Sequence, residues 1–351
     1  MSLRERYGWS PFFEQQIARR DRRDLHFARI VEEQRGLYRI AGDADGWVEV
    51  SGRFRHDAAS AADFPAVGDW VGVDGGIIQI RLDRRGTVSR AAAGRAVEEQ
   101  VVAANVDTIF LVTALTQDLN TRRLERYLTM VWDAGAAPVV VLNKADLCDD
   151  PVGAAESVRA RLPAIDVVAL SALENEGVEA LAPYLRPAQT VALLGSSGVG
   201  KSTLVNRLLG AETLRVGAIS DVDGRGRHTT TSRQLVELPG GALLIDTPGM
   251  RELQPWGDAS SVAAAFDDIT ALASACRFTD CAHAAEPGCA VREAVESGRL
   301  DADRLENFQR LGREAAYEAR KHDKAAAAEH TRRWKQIHKA NRAMYRDRNR
   351  G

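Results

Sequence analysis

The 351-residue chain contains no run of eighteen apolar residues. A membrane-spanning helix needs about that many, so none is expected. Its first ten residues, MSLRERYGWS, are polar and lack the apolar core of a secretory signal. Both absences predict a cytoplasmic protein with no membrane partner. Only four cysteines are present, too few for a disulfide framework in a chain of this size. No segment recurs at a fixed period, which excludes a solenoid or propeller array. The net charge is only −2, but its distribution is uneven. Residues 310–351 hold 13 Lys/Arg against 5 Asp/Glu, while the rest of the chain holds 34 against 44. An acidic body with a basic tail suggests that the tail meets something anionic. A solvated, charge-rich helix would show the same counts.

What is present falls into four stretches. Residues 1–35 are polar and Arg-rich with no clear apolar face, and read as a flexible N-terminal arm. Residues 36–98 alternate apolar and polar positions in GLYRI, WVEVSGRF and DWVGVDGGIIQIRL. Gly75-Gly76 suits a two-residue hairpin turn. Several short strands of this kind predict a small barrel of the OB type, which serves in nucleic-acid binding or as a spacer. Residues 99–258 change texture. Apolar strands at 106–115, 138–142, 166–169 and 190–194 are separated by helical patterns near 120–135, 152–162 and 177–185. This alternation predicts a parallel α/β sheet covered by helices. Ligands on such sheets bind beyond the carboxyl ends of the strands. Residues 259–351 read as an α-helical domain with the basic tail. Leu305, Phe308 and Leu311 make one apolar stripe, and Trp334, Ile337, Met344 and Tyr345 lie near another. Interspersed Lys and Arg suit RNA phosphates, although aromatic stripes also build cores.

Three motifs follow apolar strands in the α/β stretch. GSSGVGKS, residues 195–202, fits G-x-x-x-x-G-K-[ST] between a strand and a helix, the setting of a true phosphate loop. Lys201 would reach the β- and γ-phosphates, and the Ser202 hydroxyl would ligate Mg²⁺. LIDTPG, residues 244–249, places Asp246 to hold Mg²⁺ through water and the Gly249 N–H to meet a γ-phosphate. NKAD, residues 143–146, reads the base. The Asp146 carboxylate can accept from guanine N1–H and its 2-amino group, and adenine offers neither donor. Asn143 braces that loop and the Lys144 stem covers the base. Ser171-Ala172 would present a backbone N–H to guanine O6. Between the phosphate loop and Asp246 lies GRGRHTTTSR, a polar loop. Thr229, Thr230 and Thr231 are alternatives for completing the Mg²⁺ shell. Met250 stands where Ras-like proteins place a water-orienting glutamine. His228 is therefore the candidate for orienting the catalytic water, against a plain role in ordering the loop.

The order of these motifs is unusual. A common GTPase runs phosphate loop, threonine switch, D-x-x-G, N-K-x-D, S-A. Here the last two come first, which reads as a circular permutation joined through LRPAQT, residues 185–190. Further on, Cys276, Cys281, His283 and Cys289 are spaced C-x4-C-x-H-x5-C. Three thiolates and an imidazole would close a structural zinc site. A buried cluster of reduced cysteines is the alternative. Cys148, beside the base-reading loop, has no such company.

The permuted motifs, the small N-terminal barrel and the C-x4-C-x-H-x5-C cluster together resemble the family of ribosome small subunit-dependent GTPases, also called RsgA or YjeQ. The segments GRHTTT, DTPGMRE and CRFTDCAHAAEPGC carry the resemblance most specifically. It covers about residues 36–340. It implies an OB-type domain, a permuted GTPase domain and a zinc-bound helical domain. It implies GTP hydrolysis stimulated by the small ribosomal subunit, contact with its ribosomal RNA, and a role in late subunit maturation. By this resemblance Asn143, Lys144, Ala145 and Asp146 form the GTP site with Gly195, Ser196, Ser197, Gly198, Val199, Gly200, Lys201, Ser202 and Thr203. Cys276, Cys281, His283 and Cys289 become zinc ligands. The expected form is a monomer using GTP/GDP, Mg²⁺ and one Zn²⁺. A GTP-dependent RNA-binding switch in translation control is the alternative function, and NKAD argues against a metabolic kinase.

Overall fold

The computed structural model describes residues 2–316 apart from Asp21, Arg35, 92–98, 117–118, Pro163, 211–232, 247–261 and Ala264. The chain divides into two compact units, residues 1–255 and 256–351.

The first unit begins with a barrel. Its strands are β1 (His26–Gln34), β2 (Leu37–Gly42), β3 (Gly46–Val50), β4 (Trp70–Asp74) and β5 (Ile77–Arg81). They pair in the order β1-β2-β3-β5-β4, and β1–β4 pairing closes the ring into a five-stranded barrel. Buried and exposed residues alternate along β2 and β3, as a single-layer barrel wall requires. Gly75 and Gly76 have φ of 55° and 77°, the left-handed pair that the β4–β5 hairpin turn demands.

Three sequence expectations are corrected here. Residues 1–35 are not a flexible arm. They form α1 (Leu3–Arg6), α2 (Pro11–Arg20) and β1, the first barrel strand. The reason is aromatic packing. Phe13 and Ile17 of α2 bury against Leu25, Phe27, Trp70 and Leu82. Trp9 meets Trp70 edge-on at 4.6 Å between ring centroids. Such pairs add to the apolar area they remove from water. The barrel therefore starts at His26 and ends at Arg81, not at 36 and 98. β6 (Thr87–Ala91) and β7 (Glu99–Ala104) form a separate two-stranded sheet. WVEVSGRF is not one strand either. Ser51 ends β3 and N-caps α3 (Gly52–Asp57), its side chain accepting from the Phe54 N–H at 3.1 Å.

Beyond the barrel lie β8 (Thr108–Ala114), β9 (Ala137–Asn143), β10 (Asp166–Ala169), β11 (Thr190–Leu194), β12 (Arg233–Glu237) and β13 (Leu243–Asp246). Their order is β10-β9-β8-β11-β13-β12; the first five are parallel and β12 is antiparallel. All seven residues of β8 are buried, which fits its nearly continuous apolar sequence at the sheet centre. Helices α4 (Thr121–Asp133), α5 (Pro151–Arg161) and α6 (Lys201–Leu209) connect the strands. The helix expected near 177–185 is a 3₁₀ helix, Val178–Tyr184, with Pro183 inside it. β1 also pairs with β12 through Glu32–Gln234 and Glu33–Arg233, so barrel and α/β sheet run as one eleven-stranded sheet.

Arg29 of β1 fastens this junction. It is 1% exposed. Its guanidinium donates to Gly68 O at 3.0 Å, Tyr7 O at 2.7 Å, Thr190 Oγ1 at 2.8 Å and Asn105 O at 3.1 Å. Burial pushes its pKa down to about 10, which leaves it charged at neutral pH. Four neutral acceptors from four segments compensate that buried charge. Thr190 opens the strand that leads to GSSGVGKS.

The second unit contains α7 (Asp267–Ala273), α8 (Ala290–Glu296) and a helix over 302–316. Arg304 forks onto Asp268 at 2.7 and 2.8 Å and lies 4.8 Å above the Phe266 ring. Phe308 packs on Phe266 at 5.4 Å, and Leu311 is buried. The Leu305–Phe308–Leu311 stripe thus supplies core. The basic segment and aromatics beyond 316 lie outside the described residues.

Candidate functional site

Asn143 ends β9, Ser171 follows β10, Gly195 follows β11 and Asp246 ends β13. These strands are parallel, so all four motif positions reach the same carboxyl edge of the sheet. That edge is where a doubly wound sheet leaves room for a ligand.

Asn143 is the centre of the arrangement and is 2% exposed. Its side-chain NH₂ donates to Val199 O at 2.8 Å, and its Oδ1 accepts from the Ala172 N–H at 3.0 Å. One amide therefore ties three loops, the one it belongs to, GSSGVGKS and Ser171-Ala172. The tie explains Gly200. At φ 94° this residue is left-handed, and a Cβ there would run into the Asn143 NH₂. Lys144 is also left-handed, at φ 62°, an uncommon state for a residue with a side chain. It turns the chain directly into the short 3₁₀ helix Ala145–Leu147.

Asp146 is held from the next strand. Ser171 Oγ donates to Asp146 Oδ1 at 2.5 Å. Ser171 is itself buried, and its backbone exchanges two hydrogen bonds with Glu176, at 2.9 and 3.0 Å. The carboxylate that would read a base is thus fixed before any ligand arrives, the preorganisation a recognition site needs.

The phosphate-loop residues wrap the start of α6. Lys201 opens that helix, and its Nζ donates to Gly195 O at 2.6 Å and Ser196 O at 2.5 Å. The ammonium therefore lies back over its own loop, beside the helix N-terminus, where anions are favoured. Ser202 and Thr203 follow in the first turn. Ser202 and Asp246 come from the adjacent parallel strands β11 and β13. They offer only oxygen donors, the set a hard cation such as Mg²⁺ takes. Gly249, Met250, His228 and the three threonines 229–231 lie outside the described residues.

The second unit brings Cys276, Cys281, His283 and Cys289 together, with all four ligand atoms within 4.8 Å of one another. Cys276 Sγ lies 3.9 Å from Cys289 Sγ, and His283 Nδ1 lies 3.7 and 3.5 Å from those sulfurs. Tetrahedral bonds of about 2.3 Å to sulfur and 2.0 Å to nitrogen require separations near these values. The set fits a metal such as zinc. Burial lowers the His283 pKa, which keeps its imidazole neutral and able to ligate. The frame around it is explicit. Cys289 caps α8, its sulfur accepting from the Arg292 N–H at 3.5 Å. Gln309 donates to His283 O at 3.0 Å. Glu286 accepts from the N–H groups of Ala282, Ala284 and Ala285, and such amides, with its own, hold its carboxyl at about 2.

The sequence model of the RsgA GTPase family matches residues 81–256. A small ribosomal subunit biogenesis GTPase RsgA of Opitutus terrae is 47% identical over 97% of this chain and 97% of its own length. The chain belongs to the RsgA GTPase family. Another relative, RsgA 2 of Lactiplantibacillus plantarum, is 46% identical over 83% of each chain. Among solved structures, YjeQ from Thermotoga maritima matches with a TM-score of 0.64 at 25% identity, covering 83% of this chain and 98% of that one. YloQ, described as a circularly permuted GTPase, matches at 0.59 and 24%, covering 83% and 95%, which concerns the fold.

Membership makes the protein a GTPase with the permuted motif order. Two RsgA-site residues escaped the sequence reading. Ser171 was named only for the backbone N–H of its dipeptide, and its hydroxyl holds Asp146. Arg207, on α6, donates to the carbonyls of Ala172 and Leu173. Neither bond has a local sequence signature. Among the described residues no helix is long and apolar enough to cross a membrane.

Proposed function

We propose that this protein is a GTP-hydrolysing factor that binds the small ribosomal subunit and its rRNA and assists late subunit maturation. The observation that carries the reading is the Asn143 bridge. It joins a base-reading loop, a phosphate loop and Ser171-Ala172 at one sheet edge, in a chain whose relatives are named small ribosomal subunit biogenesis GTPases. Three parts share the work: an OB-type barrel, the permuted GTPase domain and a zinc-bound helical domain carrying the basic tail.

In this reading guanine sits against Asp146, whose carboxylate accepts from N1–H and the 2-amino group. Asn143, Lys144 and Ala145 hold and cover that pocket. Residues 195–203 cradle the phosphates through backbone N–H groups and α6. On nucleotide binding, Lys201 Nζ exchanges the carbonyls of Gly195 and Ser196 for β- and γ-phosphate oxygens. Ser202 and Asp246 hold Mg²⁺, which when bound neutralises charge on those oxygens. The Gly249 N–H meets the γ-phosphate and releases it after hydrolysis, so the switch leads directly into the helical domain.

Met250 cannot orient a water well, because a thioether is a weak acceptor. His228 is assigned that task when the subunit is bound. His228→Ala is expected to lower subunit-stimulated turnover by about 10²-fold, the scale of one positioned acid–base group, with GTP affinity nearly unchanged. Single-turnover hydrolysis with and without subunits measures both quantities. Full stimulated turnover in the alanine protein would hand the role to another group.

The barrel offers an RNA-facing surface. Arg20, Arg22, Arg53 and Arg81 line a cavity of about 420 Å³ together with Phe54. On the outer wall Trp47 is 48% exposed and pairs across strands with Arg39. Cations beside an open aromatic ring suit phosphate and base contacts of single-stranded RNA. The double change Arg22→Ala, Arg53→Ala is expected to flatten the salt dependence of rRNA binding by a log–log slope of about one. An unchanged slope in filter binding across a salt series would place the RNA elsewhere.

The whole reading is tested by GTP hydrolysis measured alone, with small subunits and with large subunits. Stimulation by small subunits only is expected. Equal rates in all three would sink the ribosomal assignment while leaving the GTPase intact.

A further inference from the structure

The bonds made by Arg207 place it in the machinery of base choice. Its Nε donates to Ala172 O at 2.9 Å and its second terminal nitrogen to Leu173 O at 2.6 Å. A guanidinium fork therefore spans two successive carbonyls of the loop after β10. Arg207 stands on α6, the helix that begins in the phosphate loop. We propose that Arg207 is a positioning residue for recognition of guanine O6, acting by fixing the Leu173 backbone N–H.

The argument rests on how the amides of this loop are used. Ser171 N–H donates to Glu176 O at 2.9 Å. Ala172 N–H donates to Asn143 Oδ1 at 3.0 Å. Glu174 N–H donates to Ser171 Oγ at 3.2 Å. Among the described residues, the Leu173 N–H donates to nothing. It is the loop amide left for a ligand. No cis peptide is present, so the Ala172 C=O and the Leu173 N–H point in opposite directions across one planar unit. When Arg207 draws the Ala172 oxygen toward α6, it turns the Leu173 N–H away from α6. The second bond, to Leu173 O, fixes the next unit and stops the first from rotating. Ser171, two residues earlier, holds Asp146 by its hydroxyl. Asp146 accepts from the N1–H and 2-amino edge of guanine, and O6 adjoins N1–H on that same edge. One short loop then serves both sides of the base, with Ser171 orienting the acceptor and Arg207 the donor.

Lysine would not replace this arginine. An ammonium is a point donor, whereas the planar fork matches two oxygens at once. The side chain is largely solvent-facing, so the effect belongs to geometry rather than to core stability. The inference rests on the guanine site described above, and its test separates the two.

The experiment compares affinities for GDP and for 2-aminopurine riboside diphosphate in the purified full chain. The analogue keeps the 2-amino group and the phosphates but has no oxygen at position 6. The unsubstituted protein is expected to favour GDP. Arg207→Ala is expected to bind GDP about fivefold to tenfold more weakly, the scale of one hydrogen bond, with affinity for the analogue unchanged. Arg207→Lys should fall between. The unchanged analogue affinity also shows that Asp146 and the phosphate loop remain folded. Equal losses for both nucleotides would mean a general structural role and would overturn the inference, as would no loss for either. If the unsubstituted protein itself does not favour GDP, the guanine site is at fault rather than Arg207.

Discussion

Asp146→Asn is expected to weaken GTP binding by at least about a hundredfold and to create affinity for xanthosine triphosphate. A site built on hydrogen bonds rejects a ligand that cannot make them by roughly 10⁴-fold, and the substitution turns that rule against guanine. The structure says which way the new amide will lie. Ser171 Oγ donates to Asp146 Oδ1 at 2.5 Å, and Ser171 is buried and bridged to Glu176. That hydroxyl continues to demand an acceptor, so the carboxamide oxygen stays with Ser171. Its NH₂ then faces the base and meets the N1–H and 2-amino donors of guanine. Xanthine carries a 2-oxo group there, which accepts. Titration of both triphosphates by fluorescence or calorimetry measures the exchange. Unaltered GTP affinity in the variant would remove Asp146 from base recognition. The asparagine is nearly isosteric and the site lies at a loop, so folding is not expected to change.

This prediction could be framed from the sequence because its residues act within short, contiguous motifs. GSSGVGKS and NKAD each follow an apolar strand, and each meets its ligand through its own backbone or an adjacent side chain. The cysteine cluster was legible for a similar reason, since C-x4-C-x-H-x5-C spans only fourteen residues. The strand alternation of the central domain was legible in its apolar runs, and the boundaries of β10 and β11 agree with the residues themselves.

What was missed depends on partners far away in the chain. HFARIVEEQ sits behind an Arg-rich stretch and carries Arg29 where a strand wants an apolar residue. Only Gly68, Tyr7, Thr190 and Asn105 make that arginine acceptable inside, and no local pattern announces four remote acceptors. The same strand joins β12, which precedes the Asp246 strand by one hairpin. The N-terminal residues are therefore part of the frame that holds the GTPase sheet. Arg207 was invisible for the opposite reason. It looks like an ordinary surface residue of a helix, and its partners are backbone carbonyls, which every sequence possesses. The end of β3 was missed because Ser51 reads as a strand position until its hydroxyl is seen capping α3.

Cys281→Ser should abolish zinc binding and unfold the second unit while GDP affinity stays within about twofold of the unsubstituted protein. Zinc held by three thiolates and an imidazole binds with free energy on the order of 10 kcal/mol in small folded sites, and that binding is folding free energy. The described elements show what the ion would hold together. Cys276 follows α7, Cys289 caps α8, and the 302–316 helix reaches the cluster through Gln309 on His283 O. Three helical pieces thus converge on one four-residue cage. Their own packing is slight: Phe266 on Phe308, the Arg304–Asp268 fork and a few buried aliphatics. A serine hydroxyl is a poor zinc ligand at neutral pH, since the thiolate is the soft donor the ion prefers. With the cage open, the remaining contacts fall short of the conformational entropy of the ordered helices. The nucleotide loops belong to the other compact unit, residues 1–255, and their bonds are made within it. Elemental analysis of freshly purified protein, limited proteolysis and GDP titration test the three parts separately. Zinc-free protein with an intact, protease-resistant second unit would show that the cysteines are a reduced cluster and not a metal cage. Loss of GDP binding together with zinc would show that the two units depend on each other for folding.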